Sequence, residues 1–169
     1  YLNLSVIKKK SIIEKKSADK KLYALILEPT RELAIQVSDE LNRLAKYKKC
    51  SILPIYGGSS MVMQLKALRK GINIVVGTPG RVIDHIYRGT LSLEDISIVV
   101  LDEADEMLDM GFLDDVQAVK RKLNHRHQTL FFSATINPEI KKLAYSQVQS
   151  NAIRIQISPE DPVSKNVTH

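Results

Sequence analysis

Two adjacent carboxylates, Asp102 and Glu103, stand directly behind an unbroken apolar run, Ile98-Val99-Val100-Leu101. A run of that kind reads as a strand buried on both faces, so both acids come to its rim. A carboxylate there can hold a magnesium ion that bridges nucleotide phosphates, mainly through water, because magnesium dehydrates reluctantly. The neighbouring carboxylate can polarise an attacking water. The same acids also suit a helix N-terminus, where the dipole favours negative charge. The pair alone leaves both readings open.

Four further polar clusters follow apolar runs in the same way. Residues 22–27 lead into Glu28-Pro29-Thr30-Arg31-Glu32, and residues 52–56 into Gly57-Gly58-Ser59-Ser60. Residues 72–76 lead into Gly77-Thr78-Pro79-Gly80-Arg81, and residues 129–132 into Ser133-Ala134-Thr135. Glycines allow close approach of a phosphate chain to the backbone. Amides at helix starts attract phosphate, and Arg31 and Arg81 can add charge-assisted contacts.

Helical patterns separate the runs. Leu33, Val37, Leu41 and Leu44 recur at helical spacing, as do Met61, Leu65 and Leu68, and Leu113, Val116, Val119 and Leu123. Asn137-Pro138-Glu139 reads as a helix start, with Asn as N-cap and Pro at the first helical position. Such alternation predicts an α/β fold: an open parallel sheet with right-handed crossovers. In that sheet the carboxyl ends of all five strands lie along one edge, where open α/β proteins bind ligands. Residues 152–157 form a late sixth apolar run, read as a further strand. Ser158-Pro159-Glu160-Asp161-Pro162 reads as the start of a linker spanning residues 158–169. Residues 1–21 are a basic segment: Leu2, Leu4 and Val6 alternate as in a strand, Ile12 and Ile13 equally suit a helix, and no element is assigned.

Composition narrows the class. The chain has 169 residues, 44% hydrophobic and 26% charged, which suits one domain with a real core. No apolar run approaches the roughly 20 residues that a membrane span needs. Nor does the start resemble a signal peptide, since the lysines come after the apolar residues. One cysteine, Cys50, excludes an internal disulfide and fits a reducing, cytoplasmic compartment. The net charge of +6 invites a nucleic-acid reading, but seven lysines against Glu14 and Asp19 in residues 1–21 account for +5 of it. Charge alone therefore does not point to RNA. Asn124-His125-Arg126-His127 lacks partner ligands for zinc and reads as a surface loop.

Taken in order, Pro29-Thr30-Arg31-Glu32-Leu33-Ala34, Gly57-Gly58, Thr78-Pro79-Gly80-Arg81, Asp102-Glu103-Ala104-Asp105 and Ser133-Ala134-Thr135 resemble the motifs of DEAD-box ATP-dependent RNA helicases. The resemblance spans about residues 22–157. Tyr56-Gly57-Gly58 and the stretch from Val75 to Arg81 are similar to the bacterial, cold-shock-type branch. It implies a RecA-like first helicase domain, with helices on both faces of the sheet, that couples ATP hydrolysis to local unwinding of RNA duplexes. It also implies roles by position. Asp102 would coordinate the Mg2+ of ATP, and Glu103 would act on the hydrolytic water. Asp105 would hydrogen-bond to Ser133 or Thr135, coupling the nucleotide site to unwinding. Pro29, Thr30, Arg31, Gly57, Gly58, Thr78, Gly80 and Arg81 would line the RNA backbone track. A second RecA-like domain would be the partner.

None of the seven glycines is followed by lysine, so the 169 residues hold no G-x-x-x-x-G-K-[ST] loop. The resemblance places that loop upstream of Tyr1. The expectation is therefore a sheet lacking the phosphate-loop strand, in a chain inactive alone. The alternative is a non-enzymatic module that binds an RNA backbone or a protein. The full motifs at 29–34 and 102–105 disfavour a DNA-directed relative.

Overall fold

The structure, a computed structural model, describes residues 21–156. The described residues form five strands: β1 Ala24–Leu27, β2 Ile52–Ile55, β3 Ile74–Gly77, β4 Ile98–Leu101 and β5 Gln128–Phe131. Six helices connect and flank them: α1 Arg31–Leu44, α2 Met61–Arg69, α3 Pro79–Tyr87, α4 Ala104–Asp109, α5 Leu113–Lys122 and α6 Pro138–Gln147. All strand pairs are parallel, in the order β2-β3-β1-β4-β5.

The continuous apolar runs form strands for the reason anticipated. Every residue of β1, β3 and β4 is buried, and these are the three central strands. Their alternate side chains feed two cores. Leu25, Leu27, Val75, Val99 and Leu101 pack with Val82, Ile83, Met107, Val116 and Val119, on the face covered by α3, α4 and α5. Ala24, Ile26, Ile74, Val76, Ile98 and Val100 pack with Ala34, Val37 and Leu41 of α1 on the other. Each fully buried aliphatic side chain contributes about 1.5–3 kcal/mol. β2 and β5 are the edges and are more open.

The helix starts follow local chemistry. Thr30, Ser60 and Asn137 cap α1, α2 and α6 by accepting from the amides of Leu33, Met63 and Ile140, with Pro138 at the first position of α6. Lys120 of α5 donates to the Gln147 carbonyl at 2.7 Å, setting a cation at the end of α6, where the dipole favours it.

The sixth apolar run is a correction. Residues 152–156 form no strand and are exposed, Ile153 at 89% and Ile155 at 76%. Alternating Ile has strand propensity, but a strand needs a neighbour to satisfy its backbone, and among the described residues none stands beside it. Residues 1–20, Ile157 and the linker assigned to 158–169 lie outside the described residues.

Candidate nucleotide and RNA interface

The register brings the five polar clusters level. Ile55, Gly77, Leu27, Leu101 and Phe131 stand in one row at the carboxyl ends of the strands. At about 4.8 Å between neighbours, the row is about 19 Å long. The chain leaves β1 toward β2 and leaves β4 toward β5, so the strand order reverses between β1 and β4. Ligands of open α/β sheets bind at such a reversal. Residues 28–31 and Asp102-Glu103 flank it.

Asp102 follows β4, and its backbone N–H donates to Leu27 O at 3.1 Å, an extension of the β1–β4 pairing. Its Oδ1 accepts from the Glu103 amide at 3.1 Å. Glu103 takes φ 50°, ψ 50° and is the N-cap of α4. It is the one non-glycine residue with positive φ among those described, and a left-handed glutamate costs about 1–2 kcal/mol. Burial, then the charges of Glu106 and Asp105, raise its carboxyl above the ordinary value. A raised carboxylate is a better proton acceptor.

Asp105 lies in the first turn of α4, and its Oδ2 accepts from the Thr135 backbone N–H at 2.9 Å. Ser133 Oγ donates to Thr135 O at 2.8 Å and closes that turn. Burial pushes the Asp105 carboxyl up, but hydrogen bonds, led by that of the Thr135 amide, outweigh it and leave the carboxyl below its ordinary value. The expected meeting of Asp105 with the Ser133–Thr135 segment is present, and its best-defined bond is to an amide rather than to a hydroxyl.

The candidate backbone-track residues divide by exposure. Arg31, Gly57 and Gly58 are exposed, and Thr30, Thr78, Gly80 and Arg81 are half-buried. Pro29 is buried, which suits shaping the turn rather than touching a ligand. Gly58 has φ +80°, and a Cβ there would stand 4.0 Å from Arg31 Nη1, so the two clusters meet at that point. Thr78 is the N-cap of α3 and makes no side-chain cap bond; Pro79 takes the first helical position, where an N–H would have no partner in the helix. Arg81 Nη1 donates to Ser59 O and to Gln64 Oε1, both at 3.1 Å.

Gln64 and His85 were not singled out from the sequence. Both are buried polar residues bonded to this edge, Gln64 to Tyr56 O at 3.1 Å and His85 to Gln64 at 2.9 Å. The available signal was a polar side chain on each core-facing helix stripe.

The DEAD/DEAH box helicase family model matches residues 4–143. The chain belongs to this family. It is 51% identical over 123 residues to the DEAD-box ATP-dependent RNA helicase CshA of Bacillus subtilis, covering 73% of this chain and 25% of that protein. CshA of Geobacillus kaustophilus is 53% identical over 123 residues, covering 73% and 26%. These similarities fit the bacterial, cold-shock-type branch. The chain thus spans about a quarter of the length of these curated relatives. The crystal structure of a DEAD box protein from Methanococcus jannaschii superposes with a TM-score of 0.78 at 48% identity, over 83% of this chain and 38% of that one. The yeast DEAD-box splicing factor Prp28 gives 0.72 at 36%, over 76% and 32%. The fold is that of a DEAD-box, RecA-like helicase domain.

No described helix is long and apolar enough to cross a membrane. Among the described residues no group of three or more His, Cys, Asp or Glu side chains could hold a metal ion. A rim carboxylate such as Asp102 is of the type that holds magnesium mostly through water and phosphate oxygens.

Proposed function

We propose that this chain forms the first RecA-like domain of an ATP-dependent RNA helicase, with residues 22–157 as the domain and a second RecA-like domain as its partner. The observation that carries the proposal is the single row of strand ends, with the acidic cluster in register with the Gly57-Gly58 and Thr78–Arg81 turns and tied to Thr135. Asp102 would hold Mg2+ of ATP, and the ion would supply charge neutralisation at the phosphates. Glu103 would accept a proton from the hydrolytic water, its raised carboxyl suiting that role. Asp105, Ser133 and Thr135 would transmit the state of the site to the RNA track.

On the RNA side, Arg31, Thr30, Gly57, Gly58, Thr78, Gly80 and Arg81 would meet sugar and phosphate rather than base edges. Backbone contact positions a strand without reading it. A cytoplasmic setting belongs to the same proposal. Taken alone, the 169 residues carry no phosphate-binding glycine-lysine loop, which favours a second reading of the isolated chain as a non-enzymatic RNA-backbone module.

Fluorescence anisotropy with labelled single-stranded RNAs of different sequence tests the RNA half. Affinity should be nearly the same for each sequence and fall steeply between about 50 and about 200 mM salt. Arg31→Ala should weaken every RNA alike. A strong preference for one sequence, unmoved by salt, would refute the backbone-track reading.

A further inference from the structure

Gln64 and His85 lie outside the five clusters, yet they are 5% and 0% exposed and bonded to each other. We propose that they form a positioning brace that locks Arg81 and the Gly57-Gly58 turn into one rigid unit. The geometry of the brace stands by itself; its consequence for RNA rests on the proposed function above.

The hydrogen bonds determine the atoms. Gln64 Nε2 donates to Tyr56 O at 3.1 Å and contacts Ser59 Oγ. Its Oε1 accepts from Arg81 Nη1 at 3.1 Å. A carbonyl only accepts and a guanidinium only donates, so the amide of Gln64 has one permitted orientation. The remaining neighbour of Oε1 is His85 Nε2 at 2.9 Å, which must therefore carry a proton. On its other side, His85 Nδ1 meets Thr90 Oγ1 at 2.8 Å, beyond the end of α3. Burial, then the Arg81 charge, hold the imidazole below its ordinary value; Asp84 opposes them and Arg88 adds to them. The ring is thus neutral near pH 7, with Nδ1 unprotonated beside the Thr90 hydroxyl, whose single proton it shares as a target with the His85 carbonyl at 3.0 Å.

This chain of bonds runs from the end of α3 through His85 and Gln64 to both sides of the glycine turn. Arg81 closes it by donating to Ser59 O at 3.1 Å. The carbonyls of Tyr56 and Ser59 thereby gain donors in a turn that has no ladder partner for them. The turn cannot shift against the start of α3 without breaking several bonds at once. Two phosphate-facing backbone segments are held at a fixed separation, and ordering them in advance lowers the cost of binding.

The test uses the full chain, with amide hydrogen exchange, 15N NMR of the histidines, and binding of a labelled ten-nucleotide oligouridine. In the unaltered chain His85 should be the Nε2–H tautomer. Gln64→Leu and His85→Leu should raise exchange at residues 57–60 by about tenfold and weaken oligouridine binding by about tenfold, while β1 and β4 stay protected. His85→Gln, which returns an N–H toward Gln64, should restore most of both. Where the leucine variants fail to fold, Gln64→Glu serves: it keeps acceptors for Arg81 and His85, loses the donor to Tyr56 O, and should still raise exchange at 57–60. Folded variants with unchanged exchange there, or an Nδ1–H tautomer, would overturn the brace whatever the RNA result. Raised exchange in a chain that never bound oligouridine would keep the brace and reject the RNA reading.

Discussion

Asp105 Oδ2 accepts the backbone N–H of Thr135 at 2.9 Å, across 30 residues of sequence. The bond joins the first turn of α4 to the segment after β5, so a displacement of the acidic motif must pull on Ser133-Ala134-Thr135. Because the partner is an amide, side-chain truncation at Thr135 leaves the bond in place. Asp105→Ala should therefore cost about 1 kcal/mol in urea unfolding, and Thr135→Ala less. In an intact helicase, Asp105→Ala should depress duplex separation more than ATP hydrolysis. The folded carboxyl titrates below its ordinary value, so its contribution is complete above the unfolded value of about 3.9. It is lost as pH falls through the folded value. Equal stabilities for Asp105→Ala and the unaltered chain at pH 7 would contradict the link.

Glu103 separates function from stability. Its left-handed backbone favours glycine, so Glu103→Gly should leave the fold as stable as before or raise its stability by up to about 1 kcal/mol. Glu103→Val should lower it, since a β-branched side chain tolerates positive φ poorly. Both substitutions, like Glu103→Gln, should reduce ATP turnover in an intact helicase by orders of magnitude. Thermal melts beside steady-state hydrolysis check this. A glycine variant that lost stability would show that the strain is not where the backbone places it.

Two glycines make opposite predictions. A Cβ on Gly77 would come within 2.6 Å of Ile55 O and of Val82 Cγ2, whereas one on Gly57 would meet nothing within 4 Å. Gly77→Ala should destabilise by about 1–3 kcal/mol, because neither the backbone of β2 nor the α3 core can yield cheaply. Gly57→Ala should be close to neutral in stability and should weaken RNA binding, if the open space there is where a sugar-phosphate chain approaches. Urea unfolding and RNA anisotropy on the two variants read these effects independently.

Legibility tracked how local the physics was. β1, β3 and β4 were plain because a central parallel strand must be apolar on both faces, and their shared edge followed from parallel pairing. The same logic failed at residues 152–156, where Ile153 and Ile155 alternate as in a strand but face solvent. Burial there depends on a neighbour that no local pattern reveals. The acidic cluster was visible as residue types. The amide partner of Asp105 and the φ of Glu103 were not, because both depend on how α4 meets the segment after β5. Gln64 and His85 were hidden for a different reason: each looks like an ordinary helical residue until the fold turns both inward.

Nucleotide binding gives the last test. The residues that follow β4 at the strand-end edge are acids, Asp102 and Glu103, with Asp105 and Glu106 close behind. Four carboxylates around one helix start repel a triphosphate unless a cation stands between them. In phosphoryl-transfer sites the grip comes largely from a glycine-rich loop and its lysine, and the 169 residues contain no such loop. The lysines of residues 1–21 do not follow a glycine and so cannot reproduce it. Isothermal titration of the monomeric 169-residue chain with ATP and magnesium should therefore show no binding stronger than about millimolar, while RNA affinity persists. Adding the phosphate-loop segment of a family relative ahead of Tyr1 should restore magnesium-dependent binding, and Asp102→Asn should abolish that gain. Micromolar, magnesium-dependent binding by the chain as it stands would show that the assignment of the acids is wrong.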